Sequence, residues 1–304
     1  LESIVPALSR RAGGRALLAA SFSVWCFSAA LADEPPAPIP WAYSAYFGTG
    51  VYEVDGGETL YVIRAAPSWR IREGALDEQG HRTIGWRIRV PIAFGLHEFD
   101  TSDLGAAVSL DNVSTLTAVP GVEFDIPMTE RWSLRPFGNF GWGGQIGGGT
   151  SAWVYWAGLK SRLEFSADGF DWAIVNALTY SGYTTAHNDA VTGGARTSSR
   201  VLPLLTAFEF DRPIEKKIGG EPVHLYWTFG YTDYLADEPL LLGSVVKSSV
   251  HIDDEWEIGM AFGRGKEPLK LWRLRWDRVG IAYRFSSDHR FQGISLSFSS
   301  IFDR

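Results

Sequence analysis

Large apolar residues recur at every second position along most of this chain. From Trp86 to Leu96 the even positions hold Trp86, Ile88, Val90, Ile92, Phe94 and Leu96, while Arg87, Arg89, Pro91, Ala93 and Gly95 fill the odd ones. The same period of two runs through 61–71, 116–126, 153–165 and 202–210, and again through 225–231, 256–262, 279–285 and 294–298. Three segments are less regular. In 134–142 Phe137 falls in the polar phase, in 172–183 Asn176 falls in the apolar phase, and 43–54 is mixed. A period of two marks a strand with two unlike faces. The longest uncharged run, 136–159, holds eight glycines, and glycine is poor in helix interiors. The pattern predicts an all-β chain of about twelve strands.

Two architectures produce such strands. A soluble sheet turns one face to a core and the other to water. A transmembrane antiparallel β-barrel turns one face to lipid and the other to its lumen. The residue types favour the barrel. One phase carries big aliphatic and aromatic side chains on nearly every strand; the other mixes charge with Gly, Ser and Thr. Trp132 and Trp142 share a phase. At about 3.3 Å rise and a tilt of about 40°, their separation spans roughly 25 Å of membrane normal, the height of a lipid-facing band.

Composition alone hides this reading. The chain has 304 residues, 45% of them hydrophobic, with a formal net charge of -7 and one cysteine. Those values exclude a disordered chain, a disulfide scaffold and a cysteine-rich zinc domain. They also argue against a nucleic-acid binder, which would carry a basic face. Residues 1–32 read as a secretory signal peptide. Arg10, Arg11 and Arg15 precede the uncharged stretch 16–32, which ends in a small-x-small cleavage site at Ala30 and Ala32. The only cysteine, Cys26, lies in it, so the exported chain would carry no thiol. Residues 33–42 read as a short periplasmic segment, and 43–304 as the barrel.

The last strand, Phe291-Gln-Gly-Ile-Ser-Leu-Ser-Phe298, continues to Ile301-Phe302. Gly293, Leu296, Phe298 and Phe302 resemble the C-terminal signal that barrel-assembly machinery recognises during insertion. Together with Arg87-Ile-Arg-Val-Pro-Ile-Ala-Phe-Gly95, Val119-Pro-Gly-Val-Glu-Phe-Asp-Ile-Pro127, Leu134-Arg-Pro-Phe-Gly138 and Arg278-Val-Gly-Ile-Ala-Tyr-Arg-Phe285, the chain resembles the solitary autotransporter-like outer-membrane β-barrel family. The resemblance covers most of 43–304. It implies a barrel like an autotransporter's translocator, usually twelve-stranded and without a passenger domain, in a bacterial outer membrane with lipid as its surroundings.

The polar phase then faces a lumen. It holds Arg64, Arg70, Arg72, Arg87, Arg89, Arg135, Lys160, Arg162 and Arg284, against Glu123, Asp125, Glu164, Glu209, Asp211, Glu255 and Glu257. Such charges either pair and fill the interior or line a narrow water-filled pore. The long connections 100–113, 184–198 and 233–249 follow odd-numbered strands and would lie outside the cell; 263–278, with its basic-aromatic run from Lys270 to Trp276, would be periplasmic.

Catalytic patterns are weak. A barrel-embedded hydrolase of lipase or protease type needs a histidine beside a nucleophile or a paired acid. His97 and His187 stand near strand ends, where histidine is commonly solvated, and Asp288-His289 are adjacent, which points the side chains apart. His251 with Asp253 and Asp254 is a poor metal set. The sequence therefore predicts no enzyme, no catalytic or metal site and no cofactor. The expected role is structural, at the surface, or passive transport through a charged lumen. The competing classes are the hydrolase and a soluble periplasmic β protein.

Overall fold

The computed structural model describes residues 46–55, 58–99, 113–147, 151–187, 198–218, 220–235, 240–242, 250–265, 269–271 and 274–303. Residues 1–45 lie outside this set, and with them the signal peptide, its cleavage site and the segment 33–42.

Twelve strands close into one antiparallel barrel. They are β1 (Gly50–Val54), β2 (Glu58–Ala65, resuming as Ser68–Arg72), β3 (Gly85–Arg89, resuming as Ile92–Phe99), β4 (Val113–Ala118, resuming as Gly121–Pro127), β5 (Trp132–Gln145) and β6 (Ser151–Ala167). Then follow β7 (Phe170–His187), β8 (Ser198–Ile218), β9 (Glu221–Leu235), β10 (Asp254–Gly263), β11 (Arg278–Phe285) and β12 (Phe291–Ser297). Each pairs with the next, and β12 returns to β1 with Gly50 opposite Ser295 and Val54 opposite Phe291. Every strand is paired on both sides over at least part of its length, the closure that a hydrocarbon environment demands.

Proline explains why three strands come in two pieces. Pro67, Pro91 and Pro120 cannot donate to a ladder. Their carbonyls still accept, from the N–H of Val90 at 3.0 Å, of Val119 at 2.9 Å and of Phe140 at 3.0 Å. Each kink is thus bridged to the following strand, and the sheet bends there without opening. Between β6 and β7 the chain reverses in two residues. Asp168 (φ 54°) and Gly169 (φ 77°) both adopt the left-handed conformation that a type I′ hairpin requires.

The C-terminal ends of the odd strands and the N-terminal ends of the even strands lie at one end, the loop end. Tight reversals such as 168–169 lie at the other, the turn end. The strands differ in length: β1 has 5 residues and β8 has 21. A membrane crossing needs about 9–11 residues. At the turn end of β8 the outward positions change from Phe208 and Phe210 to Arg212, so the apolar band stops there.

The outward face is mainly apolar and exposed, with Ile63 at 67% and Phe140 at 59%. Aromatics gather near both margins. At the turn end Phe165, Trp172, Phe210 and Trp227 form a chain of ring contacts from β6 to β9. At the loop end Phe140 stacks on Trp153 at 5.5 Å and Tyr231 meets Trp256 at 4.7 Å. Trp132 and Trp142 stand toward opposite ends of β5. This is the arrangement of interfacial aromatic girdles around a lipid-facing band.

Two of the three irregular segments follow this geometry. Phe137 does point inward, beneath the Lys160 ammonium 5.1 Å from its ring centroid, and Gly158 opposite leaves room for the ring. Asn176 does point outward, where its side-chain oxygen accepts from Thr206 Oγ1 at 3.1 Å. The third corrects the expectation. The first strand starts at Gly50, later than the predicted 43–54, because Tyr46 and Phe47 turn into the lumen.

Candidate functional site

Residues of the chain itself enter the interior from both ends. Toward the loop end, Phe47 packs against Tyr52 at 4.9 Å and Phe291 at 5.7 Å, and all three rings are buried. The Tyr46 hydroxyl crosses to β6 and β7 and donates to the carbonyls of Tyr155 at 2.9 Å and Gly182 at 3.0 Å. Val250 and Ile252, on a short ladder that pairs 240–242 with 250–252, are buried in the same cluster. Nearby, the Arg284 guanidinium contacts Glu255 and lies 3.8 Å from Glu257. These carboxylates are buried, and a buried charge persists only when paired.

Toward the turn end, the chain after β12 folds back inside. Ile301–Asp303 forms one 3-10 turn whose Phe302 is 1% exposed. Glu209 of β8 receives this turn. Its carboxylate accepts from the Ser300 hydroxyl at 2.7 Å and from the Ile301 N–H at 2.9 Å, and is balanced by Arg162 at 2.6 Å and Arg278 at 3.4 Å. The Phe302 carbonyl accepts from Lys160 at 3.0 Å, and the Asp303 carbonyl from Arg89 at 2.7 Å. The Asp303 carboxylate is gripped by Arg87 at 3.0 Å and by Arg135. Arg135 also lies 4.1 Å from the centre of the Phe302 ring, a cation–π contact. Beneath them Glu123, 1% exposed, neutralises Arg87 at 2.7 Å and Arg89 at 3.2 Å. Burial alone would raise the Asp303 carboxyl, but Arg135, Arg87 and Lys160 outweigh it and hold it well below its usual range.

Most of the charges read as lumen-facing meet here or at the Arg284 cluster. Arg135 also binds Asp125 at 3.2 Å. Asp211 pairs with His224 near the turn-end mouth, and Arg64 is partly buried on β2. Three depart from the expectation. Arg70 and Arg72 lie on Ser68–Arg72, where every residue is exposed. The reason is the short β1: it pairs with β2 only as far as Gly50 opposite Val62, so among the described residues Ser68–Arg72 pairs on one side only, with β3. Arg70 instead binds Glu73 at 2.8 Å. Glu164 is 58% exposed at the turn-end rim, bound to Arg162 at 2.7 Å.

The C-terminal pattern divides. Gly293 and Leu296 sit in β12, inward and outward respectively, and Phe298 follows it. Phe302 leaves the wall and occupies the lumen, so β12 does not continue to it. Nothing in the period-two pattern marks the turn, because Ser299-Ser300 carries no apolar phase. Its only sequence signal is a Ser-Ser break before an apolar pair and an acid.

His97 also differs from its expectation. It is 1% exposed, not solvated, and its Nδ1 meets Glu58 at 2.9 Å. Position alone could not show this; His97 stands opposite Leu60, a member of the buried apolar cluster near the loop end. His251 is exposed, and Asp254 spends its carboxylate on the N–H and hydroxyl of Ser287, so these two do not converge. The run 270–276 forms a small ladder, Leu269–Leu271 with Leu274–Trp276, and its Trp276 ring meets Phe298 at 6.0 Å. Residues 272–273 lie outside the described set.

A closed twelve-stranded antiparallel wall, an apolar outer band with aromatic margins and a charged interior define an autotransporter-like outer-membrane β-barrel fold. The chain is similar to the translocator domain of the autotransporter NalP from Neisseria meningitidis, with 9% identity, a TM-score of 0.53 and coverage of 81% of this chain and 82% of that one. The β domain of the Bordetella autotransporter BrkA aligns at 13% identity and a TM-score of 0.47, over 83% of this chain and 96% of that one. No family model and no curated protein matches the sequence.

Proposed function

We propose that this chain is a non-enzymatic integral protein of the bacterial outer membrane, with a structural or surface task and a lumen closed by its own chain. The carrying observation is the seating of Ser300–Asp303 on Glu209, Lys160, Arg89, Arg87 and Arg135. The Tyr46–Phe47 insert supports the same reading from the loop end. Surrounding lipid contacts the apolar band, and barrel-assembly machinery meets the β12 edge, with Gly293, Leu296 and Phe298, before it pairs with β1.

Planar-bilayer recording of the pure protein tests the closed lumen. The expected result is no conductance above leak; steady unitary steps would replace this reading with passive transport. Fractionation tests the location. The protein is expected to stay with the outer membrane and to change mobility in SDS on heating, whereas extraction without detergent would make it a soluble periplasmic β protein. Hydrolysis of lipid or peptide that vanishes in His97→Ala would make it a hydrolase.

A further inference from the structure

We propose that the turn-end half of the lumen is a binding site for a short acidic peptide segment, and that Ser300–Asp303 is its resident occupant in cis. Each contact to this segment is one a peptide ligand offers. Glu209 takes a backbone N–H and a hydroxyl. Lys160 and Arg89 donate to two successive backbone carbonyls, of Phe302 and Asp303. The Asp303 carboxylate reaches Arg87 and Arg135, and the aromatic ring before it lies against the Arg135 plane. A seat that reads backbone donors, backbone acceptors, one carboxylate and one ring recognises an aromatic-acidic peptide, more than an inorganic anion could use.

The backbone that carries the seat belongs to the wall and not to the occupant. Its residues come from β3, β5, β6 and β8, whose registers are set by the ladders of the wall. Its charge selects an anion. Around Asp303 stand Arg87, Arg89, Arg135 and Lys160, while Glu123 is the carboxylate beneath them and Asp125 is bound to Arg135. With the segment withdrawn, cations exceed carboxylates, and buried cations in that state demand an anionic partner. Only two residues, Phe298 and Ser299, separate β12 from Ser300. So short a tether gives the resident segment a high effective concentration, and an outside peptide competes only when the resident lets go. The inference rests on the lumen being closed at this end by residues 300–303, and not on the absence of conductance.

The probe is the synthetic peptide Ser-Ser-Ile-Phe-Asp-Arg, the chain's own residues 299–304. The receptor is the full chain carrying Phe302→Ser and Asp303→Ser, folded in detergent and checked by its heat-dependent mobility. Saturable binding is expected to the emptied chain and not to the wild type. Replacing Asp by Asn in the peptide, or adding Arg135→Gln to the receptor, is expected to weaken binding at least tenfold. No saturable binding to the folded, emptied chain overturns the proposal, and so does equal binding of the Asn peptide. A second arm needs no emptied seat. In a Cys26→Ser background, Ile301→Cys is expected to react slowly with a soluble maleimide, and at least tenfold faster once the peptide is raised far above the concentrations that saturate the emptied chain and leave the wild type unbound. A rate that ignores the peptide overturns the proposal, and this arm decides alone if the emptied chain does not fold. Channel activity in the wild type would remove the closed-lumen function while leaving both arms readable.

Discussion

Arg135 of β5 serves two neighbouring residues of a segment far away in sequence: it pairs with the Asp303 carboxylate and lies 4.1 Å from the Phe302 ring centre. One planar cation thus binds both a charge and a π face, which an ammonium does less well. Removing it leaves Asp303 and Asp125 each short of a partner. Both carboxylates are about a third exposed, so the loss is expected to fall below the about 3–5 kcal/mol of a fully buried pair. Arg135→Ala is expected to lower the urea midpoint of the heat-modifiable band, and Arg135→Lys to recover only part of it. An unchanged midpoint in Arg135→Ala would show that the segment adds nothing to the barrel.

The acid dependence of this contact follows from the Asp303 carboxyl. Its folded pKa is depressed below its ordinary 3.8 by Arg135, Arg87 and Lys160, which outweigh burial. A depressed carboxyl stabilises the fold fully above the ordinary value and loses that contribution as pH falls through the lower, folded one. The segment is therefore expected to stay seated from pH 7 down to about 4.5, above that window. In the Ile301→Cys chain, labelling at the two pH values, corrected for thiol reactivity, should agree. A large rise already at the upper edge of that range would contradict the assignment.

The Glu58–His97 pair near the loop end makes a different prediction. Both side chains are buried, at 6% and 1% exposure. His97→Ala strands a carboxylate in an apolar cluster, which costs about 1–3 kcal/mol or more. Removing both partners, as Glu58→Leu with His97→Phe, is expected to recover most of the loss. A double-mutant cycle on unfolding midpoints measures the coupling, and additivity would mean that the pair does not interact.

On the outward face, Asn176 and Thr206 are a polar pair within the apolar band. Their bond leaves the Asn176 amide nitrogen facing outward. Hydrocarbon penalises such a group by about 1–3 kcal/mol. Asn176→Leu with Thr206→Val is expected to raise the unfolding midpoint in bilayers. A lowered midpoint would mean that the pair meets something other than lipid.

How much of this was legible in sequence depends on the range of the cause. Alternation is local, and it located all twelve strands, from the Trp86–Leu96 run in β3 to Ile294–Phe298 in β12. The two residues that broke the pattern, Phe137 and Asn176, point where their phase says. Arg70 and Arg72 had the inward phase as well, but phase says nothing about whether a neighbouring strand reaches that height. The five-residue β1 does not.

The sequence by itself determined the class, a count of about twelve strands and which side of each one is apolar. Those follow from backbone geometry, because successive side chains must alternate across a sheet and lipid tolerates only one kind of face. Tertiary structure alone decided what fills the barrel. Tyr46 meets Tyr155 and Gly182, and Ile301–Asp303 meets strands of the opposite wall, through contacts between residues more than a hundred positions apart or nearly so. No period records such contacts. They exist because buried charges inside a barrel must be satisfied by whatever part of the chain can reach them.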